Sequence, residues 1–396
     1  MLWRSTRGKC PPVDLRTALF RGLAADGGLY LPERWPELPA SAFAGPPDLP
    51  AVASDVLHPF LDDVPPDDLR AICADALDFP VPLVELEEGV HVLELFHGPT
   101  CAFKDVGARF MARLMSWFLR DGGDDVTILV ATSGDTGSAV AQAFLGVEGT
   151  RVVVLYPKGK VTPLQEKQFT TLGRNVTALA VEGTFDDCQR LAKAAFADAD
   201  LVREVNLTSA NSINVGRLFP QAVYYAHAVR QLPPGSPPPR FCTPSGNFGN
   251  LCAGLIAARC GMPAAGFIAA TNVNDVVPEY LDTGAYRPRP SRETISNAMD
   301  VGDPSNFDRI LDLYGGDADA IRRDLRGSRH DDDETRAAIR DVHARTGYVM
   351  DPHTAVGYLG LRAVPRSGGG PDVLLSTAHP AKFRESVEPV IGETVP

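Results

Sequence analysis

Residues 126–138 read VTILVATSGDTGS. The run Val126–Thr132 is apolar, rich in β-branched side chains and of strand length. A turn with two glycines follows, and a segment of helical periodicity begins at Ser138. Strand, glycine turn and helix in succession form the repeating unit of a parallel sheet covered by helices. The pattern recurs outward from this stretch. Arg151–Tyr156 (RVVVLY) and Asn175–Val181 (NVTALAV) read as strands, with helices predicted from Pro163 and Phe185. Phe241–Thr243, Gly266–Thr271 and Asp372–Thr377 read as further strands. An α/β fold with parallel sheets is therefore expected.

The first 80 or so residues differ, being rich in proline and acidic side chains. Val64-Pro65-Pro66-Asp67-Asp68 reads as the start of a helix, so this stretch is expected to be mostly helical. Gln231–Arg240 (QLPPGSPPPR) is too proline-dense for a helix or central strand and reads as a connector, as does the loop Ser367–Pro371. The charged segment Asp324–Glu334 reads as a solvated helix-and-turn face.

At 396 residues the chain has room for two or three domains, at roughly 100–200 residues each. A net charge of −12 argues against nucleic acid or an anionic membrane as the main partner. It does not exclude a phosphorylated metabolite held by backbone amides and a few cations. No apolar window approaches the roughly 20 residues of a membrane-spanning helix, and Met1–Pro12 lacks the apolar core of a secretory signal. The seven cysteines form no C-x-x-C pair, which suits reduced thiols in a cytoplasmic protein better than a zinc or disulfide framework.

Three glycine-punctuated turns carry candidate chemistry. In Phe96–Gly107 (FHGPTCAFKDVG), Lys104 follows an apolar Cys101-Ala102-Phe103 and precedes the amphipathic stretch Arg109–Leu119. Lys104 is either an ordinary solvated lysine or a partly buried amine freed to act as nucleophile and base. Ala131–Ser138 (ATSGDTGS) is either an anion site at a helix start or a plain N-cap in which Ser133, Asp135 or Thr136 satisfies the end amides. It lacks the Gly-Lys-Ser/Thr of a P-loop. Thr243–Asn250 (TPSGNFGN) again joins a strand to an apolar helix, Leu251–Ala258; Gly246 and Gly249 permit a tight fold around an oxyanion. Neither of the last two turns spells the dinucleotide fingerprint G-x-G-x-x-G.

Read in order, FHGPTCAFKD, ATSGDTG, YPKGKVTPLQEKQ, NSINVGR, PSGNFGN, AATNVNDVVP, SNAMDVGDPSN and STAHPAKF resemble the successive motifs of the threonine synthases of bacteria and fungi. The resemblance runs from about Arg16 to Glu393. It implies the fold type II architecture of pyridoxal-phosphate enzymes: two parallel-sheet α/β domains with a mostly helical N-terminal domain. On this reading residues 1–82 form the N-terminal domain and 83–396 the catalytic region, of which about 105–225 is a smaller, mobile subdomain.

The resemblance also implies an activity: conversion of O-phospho-L-homoserine and water to L-threonine and phosphate on pyridoxal 5′-phosphate. It places the Schiff-base lysine at Lys104 and the cofactor-phosphate loop at Ser245, Gly246, Asn247, Phe248, Gly249 and Asn250. Relatives commonly carry aspartate where Asn250 stands. It sets a hydroxyl against the pyridine nitrogen, Thr377 before Ser376. It puts Ser133, Gly134, Asp135 and Thr136 around the substrate, and Asn211, Ser212 and Arg217 on the substrate phosphate. Asp135 aligns with an asparagine that contacts the cofactor's 3′-oxygen in distant relatives, where an aspartate would repel a phenolate unless one of them carried a proton. Asn211 and Ser212 also read as caps of the helix that Arg217 begins, and Thr377 as an unliganded strand end. His97 and His379 read as structural. Lys158, Lys160 and Lys167 could assist a phosphate electrostatically.

The reading expects no metal, a small-molecule substrate, and a monomer or a homodimer. Its rivals are a phospho-lyase releasing a 2-oxo acid, a serine or threonine dehydratase, and a non-catalytic ligand-binding regulator.

Overall fold

The computed structural model describes residues 1–396 apart from Asp121, Gly123, Asp124, Ser133, Ser367 and Pro396. The chain divides into two compact units, each assembled from three separate stretches. One comprises Met1–Pro36, Leu57–Phe79 and Gly98–Pro220; the other comprises Glu37–Val56, Pro80–His97 and Gln221–Pro396.

The first unit is built on a four-stranded parallel sheet in the order Val176–Val181, Thr150–Pro157, Val126–Ala131, Leu207–Ser209. Leu129, Ala131 and Leu155 pack with Cys188 and Ala192 of the helix Phe185–Ala197. Ile128 and Val130, on the opposite face, are just as buried. Both faces of the strand Val126–Ala131 are thus covered, which explains why its sequence is apolar apart from Thr127. The N-terminal stretch adds the helices Leu15–Arg21 and Pro66–Ala76 and a two-stranded antiparallel ribbon, Trp3–Ser5 with Tyr30–Pro32. Trp3 meets Phe219 edge-on at 4.9 Å, and Phe60 lies 4.8 Å from the same ring.

The second unit holds a six-stranded sheet in the order Leu325–Arg329, Gly266–Thr271, Arg240–Pro244, Asp372–Ser376, Val90–Glu94, Leu83–Glu87. Every pairing is parallel except the last. Val92, Cys242, Ile268 and Leu374 share one core with Ala355 and Val356 of the helix Pro352–Ala363. Phe241 and Phe267 stack at 5.7 Å, with Tyr225 edge-on to Phe241 at 5.1 Å.

Two expectations need correction. The helix after ATSGDTG begins at Asp135 rather than Ser138. Thr132 makes that possible: its Oγ1 accepts from the amides of Gly134 (2.9 Å) and Gly137 (2.8 Å), closing the turn before the helix. The charged segment Asp324–Glu334 is not a helix-and-turn throughout, since Leu325–Arg329 is an edge strand paired with Gly266–Thr271. Its exposed Arg326 and Arg329 obscured the strand pattern and suit an edge, where charge discourages pairing with other chains. The helix that follows, Asp332–Thr346, begins with a capping box between Asp331 and Glu334.

Candidate active site

In the first unit, Lys104 is the first residue of the helix Lys104–Leu119 and is half-buried, its Nζ lying 5.4 Å from the centroid of the Phe103 ring. The loop before it is fixed by its neighbour. The buried Asp105 carboxylate accepts from the amide of Thr100 (2.8 Å) and from its hydroxyl (2.7 Å). A Cβ on Gly98 would stand 2.5 Å from that carboxylate, so only glycine lets the loop close on Asp105. A lysine held at the rim of such a loop is neither fully solvated nor free to wander.

The ATSGDTG turn is organised from below by Thr132 and from the side by Gln165. Gly134 has φ 134°, a backbone state that L side chains rarely adopt. Gln165 is fully buried and donates through Nε2 to Asp135 Oδ1 at 3.0 Å. Asp135 is buried and Thr136 half-buried; Ser133 lies outside the described residues. Thr132 thus supplies an acceptor to the end amides of this turn, while Asp135 accepts from Gln165.

Asn211 and Ser212 are half-buried. Asn211 donates from Nδ2 to the carbonyl of Ala131 (3.2 Å), and its Oδ1 is buried without a hydrogen-bond partner among the described residues. The short helix Val215–Leu218 is capped by Asn214, whose side chain accepts from Gly216 at 2.9 Å. Arg217 is 3% exposed, with Nη1 donating to Ala210 O at 2.5 Å. Burial pulls its guanidinium down to about 10, against the attraction of the Asp105 carboxylate. Gln168 reaches the carbonyl of Thr100 at 3.2 Å. Four motifs far apart in sequence thus meet within this unit: the Lys104 loop, ATSGDTG, the Gln165 helix and the Asn211–Arg217 segment.

In the second unit, TPSGNFGN wraps the start of the helix Gly249–Arg259. Phe248 sits at the N-cap in the left-handed conformation with φ 60°. Phe248 and Gly249 are buried, yet their amides donate to no acceptor among the described residues. Buried donors at a helix N-terminus are the chemistry of an anion cradle. A Cβ on Gly246 would stand 2.6 Å from the Met299 Cα, so the turn packs backbone to backbone against Asn297–Met299. Asn250 staples it shut: Oδ1 accepts from Ser245 Oγ (3.0 Å) and Leu251 N (2.9 Å), and Nδ2 donates to Pro244 O (2.9 Å). Asn247 Oδ1 accepts from the amide of Ser305 at 2.6 Å.

Thr377 follows the strand Asp372–Ser376 in the same unit and is 5% exposed. Ser376 Oγ is committed to Thr354 Oγ1 at 2.7 Å, whereas the Thr377 hydroxyl makes no hydrogen bond among the described residues. His379 Nδ1 accepts from Ala381 N (3.1 Å), and His97 pairs with Glu94 at 2.7 Å. Lys158, Lys160 and Lys167 are exposed, Lys158 pairing with Glu182 at 2.5 Å.

Sequence reasoning overlooked Thr132, Gln165, Asp351 and His353. Two left a trace. Thr162-x-x-Gln165 spells a capping box, which the structure contains, and Asp351-Pro352 spells an N-cap followed by proline in the first helical turn.

A helix start with buried, unengaged amides among the described residues, a half-buried lysine at another helix start and parallel α/β units suit one class of enzyme. Residues 77–377 match the family described as pyridoxal-phosphate dependent enzyme, and residues 2–77 match the threonine synthase N terminus. The chain belongs to the threonine synthases, lyases that work with pyridoxal phosphate. A threonine synthase of Escherichia coli (strain K12) is 44% identical over 387 residues, covering 97% of this chain and 89% of that relative. The crystal structure of pyridoxal-phosphate-bound threonine synthase from Brucella melitensis superposes with a TM-score of 0.93 at 40% identity, covering 100% of this chain and 92% of that one. The yeast threonine synthase structure gives a TM-score of 0.89 at 32% identity, over 99% and 90% of the two chains.

Proposed function

We propose that the chain converts O-phospho-L-homoserine and water to L-threonine and phosphate, with Lys104 as its catalytic lysine. The observation that best supports this is the pair of buried amides at Phe248 and Gly249, which donate to no acceptor among the described residues. Pyridoxal phosphate, when bound, supplies the electron sink without which a saturated amino acid could not lose the protons and phosphate this reaction removes.

Ser245, Gly246, Asn247, Phe248, Gly249 and Asn250 hold the cofactor phosphate, chiefly through backbone amides. The helix Gly249–Arg259 adds a favourable dipole, worth up to about 2 kcal/mol for a partly buried anion. Thr377 would offer its hydroxyl to the pyridine nitrogen; Ser376 is less suited because its hydroxyl is already engaged by Thr354. A neutral hydroxyl there offers no charge to stabilise a protonated ring nitrogen. Lys104 is the residue that would hold the cofactor covalently, and its Nζ would serve as the base that takes the substrate's α-proton and returns protons later.

Ser133, Gly134, Asp135 and Thr136 embrace the substrate, and Asn211, Ser212 and Arg217 hold its phosphate. A buried guanidinium and the unpaired polar edge of Asn211 support that assignment. We take residues 1–82 as an N-terminal domain and 83–396 as the catalytic region, with about 105–225 as its smaller subdomain. The seven free cysteines suit a reducing cytoplasm.

The test is incubation of the cofactor-loaded protein with O-phospho-L-homoserine, measuring threonine, 2-oxobutyrate and phosphate together. Threonine and phosphate should rise in equal amounts. Phosphate accompanied by 2-oxobutyrate in place of threonine would identify a phospho-lyase instead.

A further inference from the structure

The helix Pro352–Ala363 is capped by the carboxylate of Asp351. Asp351 is wholly buried and accepts four hydrogen bonds. Oδ2 takes the amide of His353 (3.0 Å) and its Nδ1 (2.5 Å); Oδ1 takes the amide of Thr354 (3.1 Å) and its hydroxyl. Four accepted bonds fill the capacity of an ionised carboxylate. An N-cap alone would need only one or two of them.

The two side chains that Asp351 holds point to different places. His353 Nε2 lies 3.2 Å from the amide of Ala298. That amide can only donate, so Nε2 carries the lone pair and Nδ1 the proton given to Asp351. Ala298 and Met299 form the turn against which Gly246 packs, the Ala298 carbonyl lying 2.7 Å and the Met299 Cα 2.6 Å from where a Cβ of Gly246 would be. In the other direction, Thr354 gives its single hydroxyl proton to Asp351, so the 2.7 Å bond to Ser376 must be donated by Ser376. The carbonyl of Ser376 is held as well, by the amide of Leu95 at 3.0 Å. The residue following this doubly fixed strand end is Thr377.

We propose that Asp351 is a positioning residue for the cofactor, joining the phosphate turn Ser245–Asn250 to the strand end that presents Thr377. One arm runs through His353 and Ala298, the other through Thr354 and Ser376. The distance between the two ends of the cradle is thereby set by a buried, fully satisfied network instead of by the loops themselves. The inference rests on the reading of that turn and of Thr377 as cofactor ligands.

The test uses the full-length holoenzyme and two reporters that folding alone does not separate: the near-visible absorption band of the bound cofactor, and the phosphorus-31 resonance of its phosphate. Thr354→Val, which keeps shape and removes the hydroxyl, should shift the absorption band and weaken cofactor binding about tenfold, leaving the phosphorus line in place. Thr354→Ser should restore both. His353→Leu should move the phosphorus line and spare the band. Asp351→Asn should disturb both reporters.

Thr354→Val with a wild-type band and cofactor affinity within twofold of wild type overturns the inference, as does failure of Thr354→Ser to rescue. Thr377→Val separates this failure from that of the underlying reading. A band moved by Thr377→Val but not by Thr354→Val sinks only the role of Asp351. A band that neither substitution moves sinks the assignment of Thr377 too.

Discussion

The side chain of Gln165 lies so close to Gly134 that a Cβ added there would stand 2.4 Å from its Cδ and Oε1. The same glutamine donates to Asp135 at 3.0 Å, so one buried amide sets both the shape of the ATSGDTG turn and the orientation of its carboxylate. Part of that carboxylate's negative charge is spent on a fixed protein donor before any ligand arrives.

Gly134→Ala should therefore damage the turn twice over, through the contact with Gln165 and through a φ of 134° that alanine resists. The expected result is a folded protein whose kcat/KM falls about 100-fold, the scale of a misplacement of about 1 Å. Adding Gln165→Ala should relieve the contact but not the backbone strain, so the double variant should recover only part of the loss. Steady-state kinetics of the two variants decide this; wild-type turnover by Gly134→Ala would show that the turn does not shape the substrate site.

Lys104→Ala should fold normally, because the Asp105–Thr100 bonds that fix the loop do not involve the lysine side chain. Turnover should drop by at least about 10²–10⁴, the range for loss of a positioned acid–base group. Borohydride reduction of the wild-type holoenzyme should leave cofactor mass on the peptide containing Lys104, and the variant should show none. An adduct on any other lysine would remove Lys104 from its role.

The parallel sheets were legible because both faces of a central strand such as Val126–Ala131 are covered, so it reads as a nearly continuous apolar run. The glycine turns were legible because Gly246 and Gly134 each occupy a space or backbone state closed to other residues. The strand Leu325–Arg329 was hidden because an edge strand has little burial to report. What sequence spacing could not reveal was the tertiary partner: nothing local says that Gln165 would meet Asp135, or that His353 would meet Ala298, 55 positions away. Nor does local sequence show that the Lys104 loop and ATSGDTG belong to one unit while PSGNFGN belongs to the other.

Arg217 tests the substrate-phosphate assignment. Its guanidinium is buried beside Asp105, and a Cβ on Gly107 would come within 2.7 Å of its backbone oxygen. Arg217→Lys keeps the charge but loses the planar fork. If the fork grips the substrate, KM for O-phospho-L-homoserine should rise at least about tenfold, the loss of roughly 1.4 kcal/mol of binding, while cofactor affinity is unchanged. Gly107→Ala should destabilise the unit by about 1–3 kcal/mol through overpacking and raise KM as Arg217 is displaced. A fall in the thermal midpoint with no change in KM would make Arg217 a structural ion for Asp105 and nothing more.

His227 should control acid stability. It lies in the helix Gln221–Gln231, 4% exposed, with Nε2 at 3.1 Å from the carbonyl of Val81 and a buried Nδ1 that has no partner among the described residues. The tautomer that satisfies Val81 carries its proton on Nε2, so a second proton on Nδ1 would create a buried charge with an unsatisfied N–H. Burial accordingly pulls this imidazole down from its usual 6.5 to about 4. Between those values the unfolded chain binds a proton that the folded chain refuses. Stability contributed by the neutral ring is therefore complete above about pH 6.5 and lost as pH falls toward 4, by about 3 kcal/mol in all. His227→Gln can keep the donor to Val81 and cannot titrate, so its urea-unfolding free energy should fall less steeply across that window. Identical slopes for the two proteins would mean that the ring is already accommodated as a cation in the folded state.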